Sequence, residues 1–346
     1  MRRSGLFLGL VLAAVSASCA RPFDSQSKVE TLRILAIAAD HSTPPAGTTV
    51  QLTMLVDDGS PNARASDGGA RSIEVAWLGG CVDPTSDAYY ACYSQLAPQI
   101  AAVNSGATDP GVGRGTTYSL AVPPDVVSRR GARAGTNAYG LSMVLYAVCA
   151  GSIVGVANSS TSVPPLSCVD GNGATVGADG FVFGFLPLYT FPGIDNQNPI
   201  INGIQADGAT IVSNSCASDA DCVSGQVCSS RSLCAPLATL CATRDANSCT
   251  TVTINGAVDP SSAEADPVAT FLKGAPRSEL LYVSYYATDG SLGSATKLVV
   301  DPALGPTTDW STTWTPASIA EEVTIWAIAH DSRGGVAWSS MTVVVR

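Results

Sequence analysis

The sequence predicts an all-β protein: two β-sandwiches in tandem, the second carrying a disulfide-rich insert. Three observations predict it. Short apolar runs alternate with polar residues at period two along most of the chain, and helical periodicity is nearly absent. Charged residues are 13% of the 346, about half the ~25% of an ordinary globular chain, while 33 Gly and 21 Pro supply turn chemistry. Six cysteines crowd into the 34 residues from Cys216 to Cys249, where apolar periodicity stops. At ~150 residues per domain, the length suits two cores.

The N-terminus indicates the compartment. Arg2 and Arg3 precede an uncharged stretch from Gly5 to Val15. That stretch is too short for a bilayer at ~20 residues per span, but it suits the apolar region of a signal peptide. The run Ser16-Ala17-Ser18-Cys19 resembles the lipobox of bacterial lipoproteins, Leu-(Ala/Ser)-(Gly/Ala)-Cys, with Ser16 where that family prefers Leu. The resemblance implies that Cys19 becomes the first mature residue and carries the lipids. Residues 1–19 are then signal peptide and lipobox, and residues 20–30 a tether. Ala20 after the cysteine, rather than Asp, looks like the pattern for outer-membrane delivery. Ser18-x-Ala20 supports the alternative, a soluble periplasmic or secreted chain cleaved after Ala20.

Cysteine parity agrees with export. Setting Cys19 aside leaves Cys81, Cys92, Cys149, Cys168, Cys216, Cys222, Cys228, Cys234, Cys241 and Cys249, an even set as a complete disulfide framework requires. The net charge is −10, becoming −12 once Arg2 and Arg3 leave with the signal. No basic run exists to follow a phosphate backbone, so nucleic acid is excluded as a partner.

After the tether, Leu32–Ile37 reads as the first strand of a domain over 31–196. Thr48–Val56 and Ser72–Trp77 alternate polar and apolar, and Asp57-Asp58-Gly59-Ser60-Pro61-Asn62 between them is a turn. Thr117–Val122, Tyr139–Cys149 and Phe181–Phe191 follow as strands. Ala134–Val169 carries no charge, but Ser142, Gly151, Ser152 and Gly155 break its most apolar part; two buried strands with a turn at 150–152 explain it better than a membrane span.

The same programme restarts over 197–346. Pro199–Asp207 echoes Leu32–Asp40, Thr250–Val258 matches Thr48–Val56, and Leu280–Tyr286 matches Ile73–Trp77. Trp310–Trp314, Val323–His330 and Val336–Val345 complete the set, the last two joined by the turn Asp331-Ser332-Arg333-Gly334-Gly335. Seven-odd short strands with turns at every 8–12 residues or so point to immunoglobulin-like or fibronectin-like sandwiches.

The insert, 214–250, has cysteines separated by five, five, five, six and seven residues. Its only evident scaffold is its own crosslinks, and spacing does not choose among the pairings. Zinc is the rival, opposed by export, by the absence of His and by the lack of a Cys-x2-Cys pair; no metal or cofactor is expected. Cys216-Ala-Ser-Asp219-Ala-Asp221-Cys222-Val-Ser-Gly225-Gln-Val-Cys228 resembles the small Dickkopf-like cysteine modules inserted in many secreted bacterial proteins, which implies a stapled module and no activity. Leu32–Asp40, Asp179-Gly180-Phe181-Val182 and Trp326–Trp338 are similar to stretches of a group of exported bacterial lipoproteins with tandem immunoglobulin-like domains, a group with no established chemistry.

Catalytic signals are weak. His41 and His330 fall in different domains, and consecutive His330-Asp331-Ser332 in a strand point to opposite faces, so they make no triad. Gly111-Val-Gly113-Arg-Gly115 lacks the spacing of a dinucleotide loop and reads as a loop before Thr117. Asp170-Gly-Asn172-Gly173 begins like a calcium loop, but Ala174 and Phe181 stand where ligands are needed. Asp219 and Asp221 in the insert read as solvated acids.

One feature suggests binding. Four of the five tryptophans, Trp310, Trp314, Trp326 and Trp338, fall in the last 37 residues. If His330 pairs with Val336, Ile328 faces Trp338 with Trp326 diagonal to it, and the four become a candidate binding surface for a polysaccharide or protein, unless core packing or the other domain covers them. The expected function is a non-enzymatic cell-envelope lipoprotein, membrane-held by its N-terminal lipid, serving as a binding, adhesive or structural module with its sandwiches as spacers. An accessory or scaffold subunit of an envelope hydrolase or transporter is the alternative, and a hydrolase with an unrecognised site comes third.

Overall fold

A computed structural model describes residues 26–60, 63, 71–130, 138–156, 163–211, 214–241 and 249–346. The signal peptide, lipobox and Cys19 expected from sequence lie outside the described residues.

The first half contains β1 (Leu32–Ala39), β2 (Thr49–Asp58), β3 (Glu74–Val82), β4 (Val112–Arg114), β5 (Thr117–Ala121), β6 (Gly140–Cys149), β7 (Ser152–Gly155), β8 (Leu166–Val169) and β9 (Phe181–Thr190). One sheet has the order β1-β2-β5 and the facing sheet β4-β3-β6-β9, with β7 and β8 a separate hairpin. In β2 the alternation of Val50, Leu52 and Met54 buries one face, as its period-two sequence requires. Those residues join Trp77, Tyr118, Leu120, Val144 and Leu188 in the sandwich core.

A second layer covers the other face of β4-β3-β6-β9. The chain between β3 and β4 folds back as short 3-10 turns and helix α1 (Ala97–Ser105), pinned by the Cys81–Cys92 disulfide. Leu96, Ile100 and Val103 of this excursion pack on Leu141, Met143 and Leu145 of β6. Buried on both faces, β6 needs no polar alternation, which is why its sequence reads as an uncharged run. The expected pair of strands at that run is present as β6 and β7, with Cys149 bonded to Cys168, but only β6 is buried along its length; β7 buries Ile153 and exposes Ser152.

The second half contains β10 (Ile201–Ala206), β11 (Ala209–Thr210), β12 (Gln226–Cys228), β13 (Cys234–Ala238), β14 (Val252–Val258), β15 (Leu281–Ala287), β16 (Ser291–Leu292), β17 (Thr296–Asp301), β18 (Gly305–Pro306), β19 (Thr312–Thr315), β20 (Glu321–Asp331) and β21 (Val336–Val345). Its sheets run β11-β10-β14-β19-β16 and β12-β13-β21-β20-β15-β17-β18. Stripped of additions, β10-β14-β19 over β17-β15-β20-β21 repeats β1-β2-β5 over β4-β3-β6-β9 strand for strand. The chain is thus all-β, two sandwiches of fibronectin-like strand order. Besides α1, sequence reading passed over helices α2 (Val126–Arg130) and α3 (Pro267–Lys273), too short to show a period, and the strand β17. The Gly111–Gly115 segment, expected as a loop, holds β4; a Cβ on Gly113 would stand 2.4 Å from the ring of Tyr118, which stacks on Trp77.

The insert departs from expectation. Its pairings are Cys216–Cys228, Cys222–Cys234 and Cys241–Cys249, so the last two cysteines close a loop of their own. Crosslinks are not its only scaffold: β13 runs parallel to β21, pairing Leu237 with Val344 and Ala238 with Val345, and Val227 and Ala235 pack on Val344. Apolar contact with a remote strand leaves no local periodicity for the sequence to show.

The sandwiches lie against each other instead of acting as spaced beads. Val29, Leu35, Ala36 and Leu55 pack on Trp326, Ile328, Tyr286 and Trp338, which project from the outer face of β15-β20-β21. The N-terminal segment threads this seam, with Val29 fully buried and its N–H donating to Ala287 O at 2.9 Å. Gly59 is obligatory here, because a Cβ would lie 1.8 Å from Val29 O. Polar contacts complete the seam: Asn196 Nδ2 donates to Ser42 Oγ (2.7 Å) and Asp331 Oδ2 (3.0 Å), and Arg333 donates to Asp195 O.

Candidate functional site

The tryptophan strip does not form one surface. Register is as expected, with His330 opposite Val336 and Ile328 opposite Trp338. Trp314, however, is fully buried in the core of the second sandwich, and Trp310 packs against that core with its Nε1 donating to Gly256 O at 2.8 Å. Trp326, 6% exposed, and Trp338 lie in the seam under the first sandwich. The candidate surface of Trp310, Trp314, Trp326 and Trp338 is therefore corrected to two kinds of packing, because the strand face that sequence leaves open is covered by the other sandwich.

The residues tested for chemistry are occupied structurally. Asp331 Oδ1 accepts from Arg333 N and Gly335 N to build the β20–β21 turn, and Ser332 Oγ accepts from Leu280 N. Burial pushes the His330 imidazole down to about 4, so it stays neutral, stacked on Tyr282 at 4.8 Å. Among the described residues no hydrogen bond links these three into a proton relay. Asp170 Oδ1 accepts from Asn172 N and Ala174 N, closing a turn. Asp219 accepts from Cys228 N and Arg346, and Asp221 from Ala217 N and Ser218 N; these bonds hold both carboxyls below the usual range. Cys216, Cys222 and Cys234 bring three sulfurs together, but each belongs to a disulfide and offers no thiolate to zinc.

A cleft of about 500 Å³ opens where the sandwiches meet. Its walls come from the end of β1 and the loop after it (Ile37, Ala39, Thr43), from β9, from the N-terminal end of α3 (Asp266, Val268) and from the β20–β21 turn (Ser332, Arg333). Volume and largely apolar walls match a ligand site. Four consecutive β9 residues, Leu186, Pro187, Leu188 and Tyr189, border it. Side chains alternate along a strand, so the cleft follows the edge of β9 and not one face.

Beside this edge runs a ridge of rings. Alternate residues Phe181, Phe183, Phe185, Pro187, Tyr189 and Phe191 project away from the sandwich core. The excursion covers Phe181 and Phe183, and its Tyr89 stacks on Phe185 at 4.4 Å and 10°. Beyond that point the rings are open: Phe185 is 41% and Tyr189 38% exposed. Tyr139 leans on Tyr189 (5.7 Å) and Phe191 (5.8 Å), and the Arg130 guanidinium lies 4.3 Å over the Tyr139 ring. Arg130 pairs with Asp83 and Asp87, and Tyr139 Oη donates to Asp87 Oδ2 at 2.8 Å. Asp83, Ser86 and Asp87 all hold left-handed backbone, φ 44°, 59° and 58°, conformations that side chains with a Cβ seldom adopt. Sequence reading passed over this ridge although the signal was present, as rings at every second residue of 181–191.

No protein-family model matches the chain, and no curated protein does. Among solved structures it is similar to the chicken CNTN1 FN1-FN3 domains (8% identity, 93% of this chain and 69% of that one, TM-score 0.19). Fibronectin(III)-like modules of Clostridium thermocellum CbhA match at 10% identity over 90% of this chain and 94% of theirs, TM-score 0.17. A 1.5-MDa bacterial ice-binding adhesin matches at 13% identity over 90% of this chain and 65% of that one, TM-score 0.18. The class of the protein, a tandem fibronectin-like sandwich with a stapled insert, rests on its own strand order.

Proposed function

We propose that the chain is an exported, lipid-anchored binding and adhesive module of the cell envelope, without catalysis of its own, that takes its ligand in the cleft between its sandwiches. The observation that carries the reading is the cleft itself: about 500 Å³, largely apolar, with open rings along one rim. Anchoring is supported by the lipobox-like Ser16–Cys19 run, and export by five disulfides. Among the described residues no helix is long and apolar enough to cross a membrane. A second reading, a scaffold subunit for an envelope enzyme or transporter, is favoured by Phe271 and Leu272 of α3, 82% and 71% exposed.

The test uses the full chain expressed with its own N-terminus in a Gram-negative host. Membrane fractionation and intact mass, unreduced and then reduced and alkylated, should give an acylated Cys19 and five disulfides; an unacylated chain beginning at Arg21 overturns the anchor. A fragment screen by NMR on the same protein should perturb residues of the cleft, and Val268→Trp, which narrows it, should abolish those shifts. Fragments that bind equally well to this variant would remove the cleft as the site.

A further inference from the structure

We infer that the ridge along β9 is a stacking platform for an uncharged saccharide chain, an assignment that rests on the binding reading above and gives its ligand a chemical class. Pyranose rings present apolar C–H faces and equatorial hydroxyls, so a site for them needs open aromatic faces in a row with fixed hydrogen-bonding groups beside them. Pro187, Tyr189 and Phe191 supply the row, the last two rings stacked on each other at 6.2 Å and 23°, and Phe185 extends it with the surface that Tyr89 leaves open. At ~3.4 Å per residue it is about 20 Å long, room for on the order of four linked sugars. Tyr139, Asp87 and Arg130 supply the fixed polar end, already ordered by their mutual bonds.

Two observations select this class over its rivals. Pro187 stands in an edge strand, where a proline's missing N–H belongs on the outward side. An added peptide strand would lose a ladder bond at the centre of the cleft, so Pro187 blocks strand addition while its ring lengthens the platform. Charge is the second. Among the described residues the cation at the platform, Arg130, is shared between Asp83 and Asp87, on a chain whose net charge is −10. Among the described residues an anionic polymer meets a cation already paired with carboxylates, whereas a neutral one needs none.

The experiment titrates the whole protein with cello-, laminari-, chito- and manno-hexaose by calorimetry and by NMR of the tyrosine and phenylalanine rings. A tetrameric polygalacturonate serves as the anionic probe and a proline-rich dodecapeptide as the peptide probe. At least one neutral hexaose should bind and shift the Tyr189 and Phe191 rings. Tyr189→Ala and Phe191→Ala should each weaken it about tenfold, since a stacked ring is worth on that order. Tyr189→Phe, which keeps the ring, should stay within about threefold and show that the fold is intact, and Phe271→Ala on α3 should change nothing. Binding of the polygalacturonate with equal affinity refutes the neutral platform. If only the peptide or the fragments shift β9, the saccharide class is wrong while the cleft remains a site. If no probe or fragment perturbs β9 or the cleft, both readings fall.

Discussion

Replacing Glu279 by glutamine should turn a nearly pH-independent stability into one that rises from about pH 4.5 to about pH 6.5. Glu279 is fully buried, with Oε1 accepting from Arg333 Nη1 at 2.9 Å and Oε2 from Glu264 N at 3.1 Å. Burial first, and the neighbouring Asp331 second, push its carboxyl up to about 7. A raised carboxyl contributes stability that is complete below its unfolded value of about 4.3 and is lost as pH climbs through 7. His330 works in the opposite direction. Burial lowers its imidazole to about 4, so the fold gains stability as pH rises from there to about 6.5, the unfolded value. Each shift is worth at most about 4 kcal/mol at ~1.4 kcal/mol per pH unit. Across the shared window the two slopes oppose each other. Glu279→Gln removes the falling slope and exposes the rise, while His330→Phe, which can still stack on Tyr282, exposes the fall. Urea unfolding followed by tryptophan fluorescence reads the right part of the molecule, because four of the five tryptophans lie in the second sandwich. A Glu279→Gln variant whose midpoint stays flat, or falls with pH, would refute the opposition.

Other perturbations have equally definite outcomes. Trp326→Ala empties the seam beneath Val29 and Leu35 and should cost about 3 kcal/mol, with a larger radius of gyration by solution scattering as the sandwiches part; unchanged scattering would mean the seam does not hold them. Tyr285→Phe removes a buried hydroxyl that accepts from Gly256 N at 3.0 Å and donates to Trp310 O at 2.8 Å. The loss of about 2 kcal/mol should appear as a lower urea midpoint, and an unchanged midpoint would contradict that accounting. Removing one insert crosslink by Cys222→Ala with Cys234→Ala should loosen the insert by about 3 kcal/mol. Hydrogen exchange at Val227 and Ala235 should accelerate while tryptophan-monitored unfolding of the sandwich stays put; coupled loss of both would show the insert to be part of the sandwich core.

Legibility followed the range of the interaction. The β20–β21 hairpin was readable to the residue, because a turn of Asp, Ser, Arg and two glycines sets the register and alternation sets the faces. Strand β2 was readable for the same reason, and β6 was readable as buried though not as buried twice. Helices α1 and α3 were not, since seven to nine residues, the first without a side-chain cap and the second capped by Asp266, hold too little period to count. The tryptophans show the limit most clearly: Trp326 was placed on the correct face of its strand, yet what covers that face comes from Val29, Leu35 and Ala36 nearly three hundred positions earlier.

By itself the sequence determined the all-β class, the tandem repeat of the strand programme, the position of the insert and the exported pattern of its cysteines. Each of these is written in local alternation, turn residues or simple counting, which the chain carries wherever it lies in space. Tertiary structure alone decided the disulfide pairings, the docking of the insert on β21, the seam and the cleft. The cleft draws on residues 37–43, 186–194, 266–268 and 332–334, segments that no local rule connects. They become neighbours only when two apolar sheet faces, each satisfied within its own sandwich on one side, bury their remaining sides against each other.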